Sequence, residues 1–201
     1  GPTLISGGGT DANWASSIAV GPPSGASTNV FIVWISGPSW GNFDIKFSKS
    51  TDNGGTWNTL PTIDSSTYTE KAVNIYAKNN NDLYISYTKS STILIKKSTN
   101  GGTAWSSPVT VSGANSVSYI NNMDISGAKI YISYYYGTPH SSLGLAYSLD
   151  DGVTWYQGTS TTCVEDARMN DITVFDGIAY IIGAASFGGD QDVNCCKVEI
   201  S

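Results

Sequence analysis

The residues able to do chemistry are few and scattered. There is one histidine, His140, and one arginine, Arg168, among 10 Lys and Arg residues. His140 follows Pro139 in a loop-forming run, and no G-x-S-x-G nucleophile exists for it to serve. It reads as an exposed loop residue, with ligand contact as its alternative role. Cys163, Cys195 and Cys196 match no metal-ligand spacing, and the histidine is distant in sequence, so no metal is expected. A ring between adjacent cysteines is strained. The expected disulfide therefore joins Cys163 to Cys195 or Cys196, with three reduced thiols as the competing reading. Two tryptophans could stack on a ligand. Trp40 lies in G-P-S-W-G-N, where no strand requires it, and Trp14 precedes the first β-like run. Exposed aromatic rings stack on sugar faces and anchor protein interfaces.

Composition restricts what these residues can serve. The 201-residue chain has 10 Lys and Arg against 16 Asp and Glu, so 10 − 16 gives a net charge of −6. With no basic run, phosphate neutralisation is not available and nucleic-acid binding is not expected. No stretch reaches the roughly 18 consecutive apolar residues of a spanning helix. A hydrophobic content of 40% with 6 Trp and 12 Tyr is enough to build a core. The chain begins at Gly1 without an apolar leader, as in a processed or trimmed chain. Abundant Ser, Thr, Tyr and Asn with little Lys favours an extracellular or cell-surface location.

The elements that must position these side chains come in repeats. STDNGGTW (50–57), STNGGTAW (98–105) and SLDDGVTW (148–155) recur at offsets of 48 and 50, and four such periods span the chain. Two alternating runs precede each motif. They are 29–36 and 43–50, then 82–89 and 92–98, then 129–136 and 143–148, and a fourth pair occupies 177–184 and 194–201. Another run lies upstream of each pair and carries a polar-Ile step at Ser17-Ile18, Asn74-Ile75, Asp124-Ile125 and Asp171-Ile172. No amphipathic helix of useful length is present. A repeat of 40–50 residues with four strands per unit is the signature of an all-β propeller with four-stranded blades.

The motif S-x-D-x-G-x-T-W resembles the Asp-box, or BNR repeat, of sialidase-like β-propellers. The first and third copies match fully, while the second has Asn100 for Asp and Ala104 for Thr. The expected roles are structural. Asp52, Asn100 and Asp150 accept backbone N–H groups in the hairpin between third and fourth strands, within boxes opened by Ser50, Ser98 and Ser148. Gly54, Gly102 and Gly152 permit positive φ. Trp57, Trp105 and Trp155 bury area at the start of the outer strand, with Thr56 and Thr154 completing the full boxes.

The resemblance implies an enzyme, and the sequence argues against the particular one. Sialidases hold the substrate carboxylate with three arginines and use a Tyr/Glu nucleophile pair and an Asp acid/base. Bidentate guanidinium pairing fixes a planar carboxylate in a way that Lys71 cannot reproduce. With Arg168 as the one arginine, that clamp is absent. Related propeller hydrolases use only a carboxylate pair, for which Glu70, Glu165 and Asp166 are candidates. The polar-Ile alignment puts Trp14, Lys71, Asn121 and Arg168 in equivalent positions around the mouth of the axis, a pocket for a sugar or a carboxylate. Packing of Trp14 between blades, with the cations paired to acids, is the competing reading.

The expectation is one domain over 1–201, with units near 7–60, 61–111, 112–160 and 161–201. Strand 3–6 completes the last blade or inserts into a neighbouring molecule. The function expected is a non-catalytic adhesion module that binds glycan or a cell-surface protein, without cofactor. The alternatives are a subunit of an assembly or fibre joined by N-terminal strand exchange, and a sialidase-like hydrolase with a reduced site.

Overall fold

In the computed structural model, residues 4–5, 11–38, 43–65, 70–111, 117–136, 142–158, 170–187 and 190–199 are described. Among them the runs of β-branched and aromatic residues form 15 strands and no helix. The first sheet comprises β1 (Ala12–Val20), β2 (Val30–Gly37), β3 (Asp44–Ser50) and β4 (Asn58–Asp64), paired in chain order. The second comprises β5 (Glu70–Ala77), β6 (Leu83–Lys89), β7 (Thr92–Ser98) and β8 (Val109–Thr110). The third comprises β9 (Val117–Ser126), β10 (Lys129–Tyr136), β11 (Ser142–Ser148) and β12 (Tyr156–Gly158). The fourth holds β13 (Asn170–Phe175), β14 (Ile178–Phe187) and β15 (Asp190–Glu199).

The described strand pairs are antiparallel, so each sheet is a meander of the kind that forms a propeller blade. The last sheet has three strands among the described residues. Leu4 and Ile5, expected in the strand that completes it, belong to no strand, and Leu4 is 72% exposed. Thr3 and Ser6 lie outside the described residues. β15 begins at Asp190, four residues before the run read from sequence, and pairs with β14 from Phe187↔Asp190 through Ile178↔Glu199.

The chain divides into two compact units, residues 1–90 with 96–108 and residues 91–95 with 109–201. In the first, β5 lies against β1 and β2. Phe31 stacks on Phe47 at 6.3 Å, and Phe47 meets Trp105 edge-on at 5.6 Å. In the second, β13 lies against β9 and β10, and Tyr131, Tyr135, Leu143, Leu145, Ile172, Ala179 and Ile181 form a buried cluster. Side chains of this size contribute roughly 1.5–3 kcal/mol each when fully buried.

The three repeated hairpins share one hydrogen-bond pattern. The buried Ser50 hydroxyl donates to Asp52 Oδ1 at 2.6 Å and accepts the amide N–H groups of Asp52 at 3.3 Å and Gly54 at 2.9 Å. Asp52 in turn accepts from Thr56 through N–H at 2.8 Å and through the hydroxyl at 2.7 Å. Ser148, Asp150, Gly152 and Thr154 repeat the set. In the middle copy Ser98 donates to Asn100 Oδ1 at 2.9 Å, and that oxygen accepts the Ala104 amide at 2.9 Å. Ala104 has no hydroxyl to add the last bond.

The residue after the Asp or Asn was not singled out in the sequence, yet it ties the hairpin to the rest of its blade. Asn53, Gly101 and Asp151 adopt φ of 60°, 66° and 61°. Their amides donate to Thr28 O, Asn81 O and Ala128 O, in the turn between the first two strands of the same sheet.

The two carboxyls sit at about 2, below the ordinary 3.8. For Asp52 the Ser50 hydroxyl is the largest cause, followed by the Thr56 amide and hydroxyl. For Asp150 it is the Thr154 hydroxyl, then its amide, then the Ser148 hydroxyl. A depressed carboxyl stabilises the fold above its unfolded value and loses that contribution as pH falls through its folded value. The Asp52→Asn/Asp150→Asn double variant should therefore fold, as the Asn100 copy does. Its thermal midpoint should change less than wild type's between pH 3.8 and 2, as followed by circular dichroism. A second prediction concerns Gly102, which has φ of 83° and would place a Cβ 2.2 Å from Phe47 Cε1. Gly102→Ala should cost more than about 1 kcal/mol in denaturant unfolding.

Candidate functional site

The hairpins and the turn between first and second strands occupy one end of each of the first three sheets. The starts of the inner strands lie at the other end, and there the chain is irregular. β1 is bulged between Trp14 and Ser16, β5 between Glu70 and Val73, and β9 opposite the Tyr134–Tyr136 step. A bulge re-aims side chains and is frequent beside binding sites. Within the first bulge Ala15 takes φ of 30°, a left-handed value that a residue with a Cβ adopts only under constraint.

Trp14 is 44% exposed and rests edge-on against buried Phe43, with centroids 6.0 Å apart and planes at 65°. Phe43 reads in the sequence only as the start of a strand run, and Ala15 carries no signal, because a bulge is set by pairing with β2. Lys71 lies in the β5 bulge, next to Glu70, which pairs with Lys89. Asn121 lies in β9 opposite Tyr134. Trp40, His140, Arg168, Glu165, Asp166 and Cys163 lie outside the described residues. Cys195 is exposed and free, so it does not form the Cys163–Cys195 bridge; the alternative with Cys196 lies outside the described side chains.

The expected alignment of the inner strands needs correction. Val30 and Ile130 both pair with a box serine, Ser50 and Ser148. Counting from these, Ser17 opposite Val33 corresponds to Asn122 opposite Ser133. Asp124 sits two residues further along, opposite Tyr131, so Asn121 is level with Ser16 rather than Trp14. The polar-Ile step misled because its side chains act locally. Ser17 Oγ accepts the Ile75 amide at 3.3 Å. Asp124 Oδ2 accepts the Val174 amide at 2.7 Å, while Oδ1 accepts its own Ile125 amide at 2.8 Å. Each caps a neighbouring inner strand.

An ionic cluster in the first unit was also not evident from sequence. Asp64, at the end of β4, accepts the buried Tyr87 hydroxyl and the Lys89 ammonium, the latter at 3.1 Å. Burial pushes its carboxyl up, but the bonds from Tyr87 and Lys89 outweigh that and hold it below the usual range. Lys96 donates to Ile63 O at 2.7 Å, and burial lowers its pKa against the pull of Asp64. Lys46 bridges Asp44 at 3.0 Å and Thr62 at 2.8 Å. Each Asp64 oxygen thus accepts one bond from the protein, and the acid ties β4 to β6. Among the described residues no group of three or more His, Cys, Asp or Glu gathers to hold a metal, and no helix is long and apolar enough to cross a membrane.

No known protein family and no curated protein matches the sequence. Solved structures do match. A Hadza microbial sialidase superposes with a TM-score of 0.67 at 14% identity, over 94% of this chain and 46% of that one. A family 43 β-1,3-galactosidase gives 0.62 at 10%, over 96% and 46%. A family 117 glycoside hydrolase from Zobellia galactanivorans gives 0.59 at 10%, over 98% and 69%. The fold is a β-propeller of the sialidase-like kind. The chain spans about half the length of the first two neighbours.

These neighbours correct the expectation that the chain is not an enzyme. That expectation rested on one arginine, which rules out a three-arginine carboxylate clamp and nothing wider. The fold is shared with glycoside hydrolases of families 43 and 117 as well as with sialidases. A glycosidic bond can be cleaved by two carboxyl groups without any arginine.

Because Asp64 is one-eighth exposed and doubly bonded, Asp64→Asn should destabilise the chain by about 1–3 kcal/mol in urea unfolding, through loss of a charged acceptor. Lys89→Met should cost less, since Tyr87 keeps its bond to the carboxylate.

Proposed function

We propose that this chain belongs to a β-propeller glycoside hydrolase of the Asp-box kind, secreted or displayed at the cell surface, that acts on glycans with a site reduced relative to sialidases. The observation that supports it is the likeness in fold, over nearly the whole chain, to carbohydrate-active enzymes that include sialidases, a galactosidase and an arabinanase. The repeated Ser–Asp hairpins support the Asp-box reading, since both full copies make the same bonds. Composition supports the location: low charge and abundant Ser, Thr and Tyr suit a protein outside the cell.

With one arginine, charge recognition of a substrate carboxylate is weak, and acid–base work falls to carboxyl groups. Glu70 at the start of β5, and the Glu165–Asp166 pair, are the candidates for it. A glycan is the partner, and neither a metal nor a cofactor is required for this chemistry.

The test is turnover of arabinan, xylan, β-1,3-galactan and their aryl glycosides, beside a fluorogenic sialoside. Product is expected from a neutral substrate and none from the sialoside. Glu70→Gln should lower that rate by about 10²-fold or more with an unchanged melting curve. Release of sialic acid, or no product from any neutral substrate, would overturn the reading.

A further inference from the structure

We infer that Trp14 is the platform on which one ring of an uncharged glycan stacks, and that Phe43 and the bulge at Ala15 are the parts that position it. The inference rests on the glycan reading above and names the kind of sugar.

Three observations carry it. The first is that Trp14 differs from the other described tryptophans. Trp34 and Trp155 are buried, Trp57 and Trp105 are half-buried, and Trp14 is 44% exposed. A ring of that size left nearly half in water at a strand start offers apolar surface beyond what its own packing covers.

The second is that it is held rather than loose. Phe43, itself buried, meets the Trp14 ring in an edge-to-face contact at 6.0 Å and 65°. One face or edge of the indole is thus braced while much of its surface stays open. The preceding register ends at Trp14↔Ile35 and resumes at Ser16↔Trp34, with Ala15 at φ 30° between them. Strain of this sort persists where surrounding structure enforces it, and it turns Trp14 relative to the strand that follows. A flat, pre-positioned aromatic ring loses little freedom on binding the C–H face of a sugar.

The third concerns charge. In the same unit Lys46 is paired with Asp44 at 3.0 Å and Lys89 with Asp64 at 3.1 Å. Lys96 bonds Ile63 O, Lys49 bonds Gly101 O at 3.2 Å, and Lys97 sits over the Tyr84 ring at 5.2 Å. These five lysines are already committed to the protein, so a carboxylate-bearing sugar finds no ready partner in them, and the salt dependence of binding tests Lys71. An uncharged sugar needs none, and its binding to an aromatic platform depends little on salt.

The experiment compares wild type with Trp14→Ala, Trp14→Phe and Phe43→Leu. The probes are arabinan, xylan and β-1,3-galactan in affinity gel electrophoresis, and 3′-sialyllactose in calorimetry. Thermal melts accompany each variant; Trp14 is exposed, so its replacements should melt like wild type. Wild type should be retarded by at least one neutral polysaccharide, with unchanged retardation at high salt. Trp14→Ala should weaken that binding about tenfold or more, and Trp14→Phe should retain most of it. Phe43→Leu should fall between them while leaving the preferred polysaccharide the same. If wild type binds and Trp14→Ala binds equally, the platform is overturned while the glycan reading stands. If only sialyllactose binds, the uncharged class is overturned. If wild type binds none of the probes, both readings fall.

Discussion

The hydroxyl of a buried serine at the end of the third strand holds each repeated hairpin together. It gives its proton to the acid or amide two residues on and takes two backbone amides in return. The carboxylate or carboxamide then receives the backbone and side chain that lead into the fourth strand. The next residue, forced to positive φ, ties the hairpin to the turn between the first and second strands. Both turns at one end of the sheet are thereby locked to each other. The opposite end, where inner strands begin, is left free of these bonds. Bulges and loops can vary there without loosening the blade, which is the division between scaffold and site expected of a protein built from repeats.

The inner strands pose a separate problem, because each has an edge with no strand beside it. Unpaired amides at such an edge cost free energy unless something accepts them. Ser17 and Asp124 supply that acceptor from the neighbouring sheet, at Ile75 and Val174. A serine and an aspartate can therefore do equivalent work at different registers. The resulting fold tolerates much sequence change, consistent with neighbours that share its shape at 10–14% identity.

Counting arginines bears on one mode of recognition. A planar carboxylate needs forked donors, and the chain has too few for the three-arginine clamp. A neutral sugar needs an aromatic face and hydrogen bonds, with carboxyl groups to move protons. The propeller accommodates either kind of site on the same strands, because the site is made by the loops and strand starts rather than by the blade cores.

The period near 49, the strand runs and the box residues were legible in the sequence because each is local: alternation, a glycine at positive φ and a side chain bonding its own hairpin act within a few residues. The structure agrees with most of these strands to within a residue or two. The partnerships of Asp64 with Tyr87 and Lys89, of Asp124 with Val174, and of Trp14 with Phe43 were not legible, for they join residues 23 to 50 apart, or a residue to a bulge. The inner-strand alignment failed for the same reason, since a short polar-Ile step recurs while register is set by the partner strand. What the sequence determined by itself was the repeat and its hairpins, through short-range backbone chemistry. What only the tertiary structure decided was which side chains meet across sheets and which ring stays in water, because packing between distant segments leaves no periodic trace in the chain.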